Sequence, residues 1–106
     1  MTPLTLTATA LGDGTTVIAF SGELDIATVG QIEQDLTHLA VGTVRELRLD
    51  LSGVTFCDSS GADLFVRMHQ HCAATGVRLH LCGVPHLCAT VFRVLGVDDA
   101  VSCSFI

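Results

Sequence analysis

The sequence predicts one α/β domain: a mixed, mostly parallel sheet of four to five strands with helices mainly on one side. Three observations carry this reading. Short β-patterned runs alternate with helix-patterned runs, an order that favours parallel strands joined by right-handed crossovers. The first two β-patterned runs are split only by Gly12-Asp13-Gly14, a turn signal that makes them an antiparallel hairpin at one edge. The run from Arg45 to Leu51 alternates leucine with charge, so one face of its sheet is covered and the other is wet. The predicted order is β-β-α-β-α-β-α across residues 1–106.

Each element has its own signal. Leu4 to Ala10 alternates leucine and threonine, and Thr16 to Phe20 is rich in β-formers. Val29, Ile32, Leu36 and Leu39 recur at spacings of three and four and form one apolar helical stripe. Leu47, Leu49 and Leu51 point one way along the next strand, with Glu46, Arg48 and Asp50 on the other side. A second helix carries Leu64, Phe65, Met68 and Cys72 inward and stops at Gly76. Val77, Leu79 and Leu81 alternate as a strand. Leu87, Val91, Val94 and Leu95 form a third helical stripe closed by Gly96, and Asp98-Asp99 reads as a solvated turn. Ala100 to Ile106 is expected as a short edge strand.

Composition narrows the function. Hydrophobic residues make up 49% and charged residues 15%, which is globular rather than disordered composition. A formal charge of −6 repels nucleic acid and anionic membrane surfaces and suits a protein partner with a basic patch. No apolar run is long enough to cross a membrane, and Met1-Thr2-Pro3 does not begin a signal peptide, so a cytoplasmic location is expected. Cys57, Cys72, Cys82, Cys88 and Cys103 are odd in number and irregular in spacing, which reads as small buried hydrophobes rather than a disulfide framework. His69 with Cys72, and Cys82 with His86 and Cys88, are too loosely spaced for a zinc site, so no metal and no cofactor are expected.

The chemistry concentrates in Thr55-Phe56-Cys57-Asp58-Ser59-Ser60-Gly61, where a strand runs straight into a helix. Functional groups of open α/β sheets gather at such carboxyl ends. Ser60 with Asp63 three residues on resembles a capping box, and Asp63 with Arg67 an i,i+4 ion pair. A serine nucleophile would need a Gly-x-Ser-x-Gly elbow and a histidine base; the elbow is absent, and His80 alternates away from Leu79 and Leu81. A Walker loop is absent too, and all five basic residues are arginine. Ser60 therefore reads either as a cap or as a hydroxyl presented for phosphorylation, which would add roughly −1.5 to −2 charges.

The chain resembles a STAS domain, in particular the anti-sigma factor antagonists. The resemblance rests on Phe20-Ser21-Gly22-Glu23-Leu24-Asp25, placed just after the second strand, and on Leu49-Asp50-Leu51-Ser52-Gly53-Val54-Thr55-Phe56-Cys57-Asp58-Ser59-Ser60-Gly61. It covers essentially the whole length. It implies that Ser60 is phosphorylated by an anti-sigma factor that is itself an ATP-dependent serine kinase, with Ser59 as fallback acceptor. The unphosphorylated form would capture that kinase and free a sigma factor; the phosphorylated form would let go, and a PP2C-type phosphatase would reset it. The nucleotide site belongs to the kinase, so this chain is not expected to be an enzyme.

Departures from the family pattern sit at Ala62-Asp63, where family members usually carry Leu and then a small or polar residue. Asp58, Asp63 and Asp25 make the neighbourhood acidic. Glu23 and Asp25 read equally as partner contacts and as carboxylates opening the first helix. Phe92 falls off the third helical stripe and reads as an exposed apolar contact or a buried aromatic. The candidate partner contacts are thus Glu23, Asp25, Asp58, Ser59, Gly61, Asp63 and Phe92. Two other functions compete: a STAS adaptor that works without phosphorylation, in a stress-signalling complex or a lipid-transport system, and a small serine hydrolase.

Overall fold

The structure, a computed structural model, describes residues 3–39 and 44–106, without the side chain of Leu39. The expectations for Met1-Thr2 and for Leu39 in the first helical stripe lie outside the described residues. Among the described residues nine elements follow in order: β1 (Thr5–Ala10), β2 (Thr15–Leu24), α1 (Ile26–Leu39), β3 (Glu46–Cys57), α2 (Ser59–Thr75), β4 (Arg78–Val84), α3 (His86–Val94), α4 (Val97–Ala100) and β5 (Ser102–Phe105).

The sheet runs in sequence order, β1-β2-β3-β4-β5. β1 and β2 are the antiparallel hairpin, with Thr5 opposite Ser21 and Ala10 opposite Thr16. β2–β3, β3–β4 and β4–β5 are parallel, each bridged by a helical crossover. The register aligns Ile18, Leu49 and Leu81 on one face, and all three are fully buried there with Phe20, Leu47 and Leu51. Alternation puts Glu46, Arg48, Asp50, His80 and Ser102 on the opposite, helix-free face.

The inner stripe of α2 is as expected: Leu64, Phe65, Met68 and Cys72 are buried, and Gly76 ends the helix at φ 76°, the left-handed conformation that favours glycine. In α1, Val29, Ile32 and Leu36 are buried. Phe65 stands edge-to-face with Phe20 at 5.9 Å and with Phe92 at 5.7 Å, joining sheet, α2 and α3 through one aromatic row.

Three expectations are corrected. The inner face of α3 is Cys88, Ala89 and Phe92, whereas Leu87, Val94 and Leu95 are exposed. Two small residues let the helix approach closely, and the phenyl ring then buries more area than the branched side chains would. Asp98-Asp99 lies in the short helix α4, not in an irregular turn. β2 runs on through Gly22-Glu23-Leu24, so that motif closes the strand instead of following it. β3 bulges against it: β3 holds one residue more than β2 between the Ala19 and Ser21 pairings, and one more again between those of Gly22 and Glu23. Gly22, between the two bulges, has φ 120°, and a Cβ there would fall 2.2 Å from the carbonyl oxygen of Pro3. The same shifts break the burial rhythm of β3, which passes from Leu49 and Leu51 to Val54 and Cys57 and leaves Phe56 outward.

Candidate functional site

β3 ends at Cys57 and α2 begins at Ser59, leaving Asp58 as the hinge residue between them. Asp58 is extended, at φ −106° and ψ −170°, and its carboxylate accepts from the amides of Ser60 at 2.9 Å and Gly61 at 3.4 Å. It is therefore the N-cap, and the capping role expected of Ser60 passes to it. Ser60 stands at the second helical position. Neither its hydroxyl nor that of Ser59 hydrogen-bonds to any described residue. Ser60 is half-buried, Ser59 is exposed, and both line an open cleft with Ala62, Asp63, Val66, Leu95 and Val97.

A parallel junction lies one strand away. β2 ends at Leu24 and α1 starts at Ile26. The Asp25 carboxylate accepts from the amides of Ala27 and Thr28, both at 3.0 Å, and the Thr28 hydroxyl accepts the Asp25 amide at 2.9 Å. That is a capping box with threonine in the usual glutamate place. The two junctions are tied together, since the Asp58 amide donates to the Leu24 carbonyl at 3.2 Å and Glu23 pairs with Phe56 across the strands.

Two candidate contacts lie inside the protein. Phe92 is fully buried in the aromatic row, so a partner cannot reach it. Gly61 is buried as well; a Cβ there would sit 2.9 Å from the Cys57 sulfur and 3.0 Å from the Leu24 Cβ. Its role is to let the mouth of α2 press onto the strand ends. Asp63 does form the expected pair with Arg67, which also clamps Glu33 of α1 through Nε at 2.8 Å and Nη2 at 2.9 Å. The Asp63 charge is thus answered by a guanidinium that it shares with Glu33, one cation between two carboxylates. The Arg67 fork holds the Glu33 carboxyl below its usual range.

The expected patterns missed three exposed apolar side chains at this end of the sheet. Ile26 is 78% exposed at the mouth of α1, Phe56 47% at the penultimate position of β3, and Leu95 49% in the cleft beside Ser60. Phe56 had a readable signal: carried on at period two, the alternation that buries Leu47, Leu49 and Leu51 leaves position 56 on the outward side. Beneath the junction, Cys57 and Cys88 are buried; the neighbouring Cys88 thiol together with burial pushes the Cys57 thiol well up, and Cys57 Sγ donates to the Asp58 carbonyl at 3.5 Å. All five cysteines are free. His80 lies on the helix-free face with its ring between Ser102 and Ser104, and no described histidine hydrogen-bonds to Ser59 or Ser60. Among the described residues, no cluster of His, Cys, Asp or Glu could hold a metal, and no helix is long and apolar enough to cross a membrane.

Comparison with known proteins agrees with this architecture. The family model described as "Mlab, STAS domain" matches residues 7–103. An anti-sigma-B factor antagonist of Staphylococcus aureus is 29% identical over 82 residues, covering 77% of this chain and 76% of that protein. The solved anti-sigma-factor antagonist (STAS) domain protein of Planctomyces limnophilus superposes with a TM-score of 0.78 at 27% identity, over 99% of this chain and 91% of its own. The Bacillus cell fate determinant SpoIIAA in its phosphorylated form shares the fold, with a TM-score of 0.72 at 24% identity over 94% of this chain and 91% of its own.

Proposed function

This chain belongs to the STAS domain family, and from that premise we propose that it is an anti-sigma factor antagonist switched by phosphorylation at Ser60. Unphosphorylated, it docks on an anti-sigma factor serine kinase and displaces a sigma factor; phosphorylated, it releases the kinase, and a PP2C-type phosphatase restores it. The kinase supplies ATP and its metal. The observation that carries this reading is the free Ser60 hydroxyl at the mouth of α2. Asp58 already caps the helix, so Ser60 is released from local structure and fixed in place by the helix backbone.

The geometry explains how one phosphate could act as a switch. On Ser60 the phosphate stands next to the Asp58 carboxylate, while the mouth of α2 offers it a partial positive charge. Exposed to water, that balance is tolerable. Closed inside an interface, the like charges lose their screening: two unit charges about 4 Å apart interact by about 4 kcal/mol at an effective dielectric near 20. Ile26, Phe56 and Leu95 give the docking surface its apolar component, and Glu23, Asp58 and Ser59 its polar rim.

Mass spectrometry of the protein isolated from its own cells with bound partners tests the proposal. A single phosphate on Ser60 in the partner-free fraction, and an unmodified Ser60 in the kinase-bound fraction, is the expected result. A kinase-bound fraction carrying phosphate at Ser60 would overturn it.

A further inference from the structure

We propose that the helix-free face of the sheet carries a binding groove for a phosphate group, free or as a small phosphomonoester, built from Arg48, Arg78, His80 and Ser102. The groove runs over the amino-terminal halves of β3 and β4 and onto β5, whereas Ser60 lies beyond the carboxyl end of β3. It is thus a second site that does not depend on the Ser60 switch.

The register assembles it. Glu46 pairs with Arg78, Arg48 with His80, and His80 with Ser102, so two adjacent rows of polar side chains rise from one face of three parallel strands. Their sequence neighbours Leu47, Leu49 and Leu81 are fully buried in the core, which fixes the direction of the polar set. An open groove lies over these residues and continues past β4 to α2, so that His69 and Ala73 of that helix line it too, with Val77, Leu79 and Cys82.

Its charge is opposite to that of the molecule. The chain has a formal charge of −6 and five cationic side chains, all arginine. Two of them line this groove against one carboxylate, Glu46, so two positive charges meet one negative and leave one over. Glu46 is committed to Arg48 at 2.6 Å and stands 3.7 Å from the Arg78 guanidinium, beyond hydrogen-bond range. Arg78 is 82% exposed in its side chain and keeps its fork for another acceptor. Two further carboxylates act nearby without lining the groove: Asp13, whose charge interacts with Arg48, and Asp50, which accepts the Ser52 amide at 3.0 Å.

His80 supplies the fine positioning. Its Nδ1 lies 2.7 Å from the Ser102 hydroxyl oxygen and its Nε2 2.9 Å from that of Ser104. A neutral imidazole donates through one nitrogen and accepts through the other. With the proton on Nδ1, the ring donates to the Ser102 oxygen and accepts from Ser104, leaving the Ser102 O–H free to donate into the groove. Phosphate oxygens would then accept from the Arg78 and Arg48 forks and from Ser102, a donor set that fits an oxyanion. Binding selects that tautomer.

Nuclear magnetic resonance tests this on the whole protein, in mildly alkaline buffer that keeps phosphate doubly charged. Inorganic phosphate is titrated at constant ionic strength set with sodium chloride, and glycerol 3-phosphate is titrated in parallel. The expected result is a saturable shift of the Arg48, Arg78, His80 and Ser102 signals, with the His80 side-chain nitrogens moving toward the Nδ1-protonated tautomer. Tighter binding of glycerol 3-phosphate assigns the groove to small phosphomonoesters, and tighter binding of inorganic phosphate assigns it to the free ion. The Arg48→Gln/Arg78→Gln double variant, with an otherwise native spectrum, should bind at least about tenfold more weakly. Shifts that do not saturate, that chloride reproduces, or that persist unchanged in the double variant would overturn the site.

Discussion

The Asp58 carboxylate accepts the Ser60 amide at 2.9 Å, so the aspartate holds the helix and the serine hydroxyl is left over. This separates stability from signalling in two adjacent residues. Asp58→Ala removes the cap and should cost about 1 kcal/mol, within the range of roughly 0.5–2 for lost caps. Ser60→Ala removes no described hydrogen bond and should stay within about 0.5 kcal/mol of the parent. Urea denaturation of the three proteins checks both. A larger loss for Ser60→Ala than for Asp58→Ala would mean that the serine is the cap.

Partner binding should follow charge at position 60 rather than the loss of the hydroxyl. Ser60→Ala keeps the docking surface neutral there and should bind the kinase as the parent does. Ser60→Asp places a carboxylate beside Asp58. If a quarter to a half of the roughly 4 kcal/mol Coulomb figure survives in the interface, binding weakens about fivefold to thirtyfold. Calorimetric titration of the kinase with both variants reads this difference, and equal affinities would remove the electrostatic account.

Gly61 is needed because the mouth of α2 touches the strand ends. Gly61→Ala drives a Cβ to 2.9 Å from the Cys57 sulfur and 3.0 Å from the Leu24 Cβ. Overpacking of this kind costs about 1–3 kcal/mol. Adding Cys57→Ala removes one of the two obstructions, so the double variant should be less destabilised than the sum of the two single changes. Strict additivity in thermal denaturation would show that the sulfur is not the obstacle.

Most of the fold was legible because its strands and two of its longer helices obey simple periods. Leu47, Leu49 and Leu51 alternate in sequence and in burial, and Leu64, Phe65, Met68 and Cys72 repeat at helical spacing and are buried. The misreading of α3 has a physical cause. In a helix of nine residues, Leu87-Val91-Val94 and Cys88-Ala89-Phe92 are both credible inner faces, and the choice depends on what stands opposite. Phe65 stands opposite, and it selects Phe92. The Ser59-Ser60 junction was legible as a place. The Asp63–Arg67 pair was legible from its i,i+4 spacing; that Asp58 rather than Ser60 caps the helix, and that Arg67 also clamps Glu33, was not, because competition among adjacent polar residues is settled by backbone angles and by α1 packing nearby.

The same helix gives a test by contrast. Phe92→Ala deletes a fully buried ring from the aromatic row and should cost about 3–5 kcal/mol. Val94→Ala trims a side chain that is 78% exposed and should change stability by less than about 0.5 kcal/mol. Chemical denaturation of the two variants decides which face of α3 is inside. Comparable losses would place Val94 in the core.

The Arg67 clamp should appear in the acid limb of stability. The Glu33 carboxyl is held below its ordinary value of 4.5 by hydrogen bonding to Arg67, which outweighs the opposing effect of partial burial. A carboxyl whose folded pKa is depressed binds fewer protons in the native than in the unfolded state. Its stabilisation is complete above the unfolded value and is lost as the pH falls below it, through the folded one. Both partners are more than a third exposed, so solvent screening limits the contribution to about 0.2–1 kcal/mol. Glu33→Gln should therefore destabilise the protein by that amount near neutrality and by progressively less as the pH falls below about 4.5. Arg67→Met should show the same convergence with a larger offset at neutral pH, because it also frees the Asp63 charge beside Ser60. Urea midpoints measured from neutral pH into this acid range give the comparison, and a Glu33→Gln deficit that stays constant across that range would mean that the pair does not form in solution.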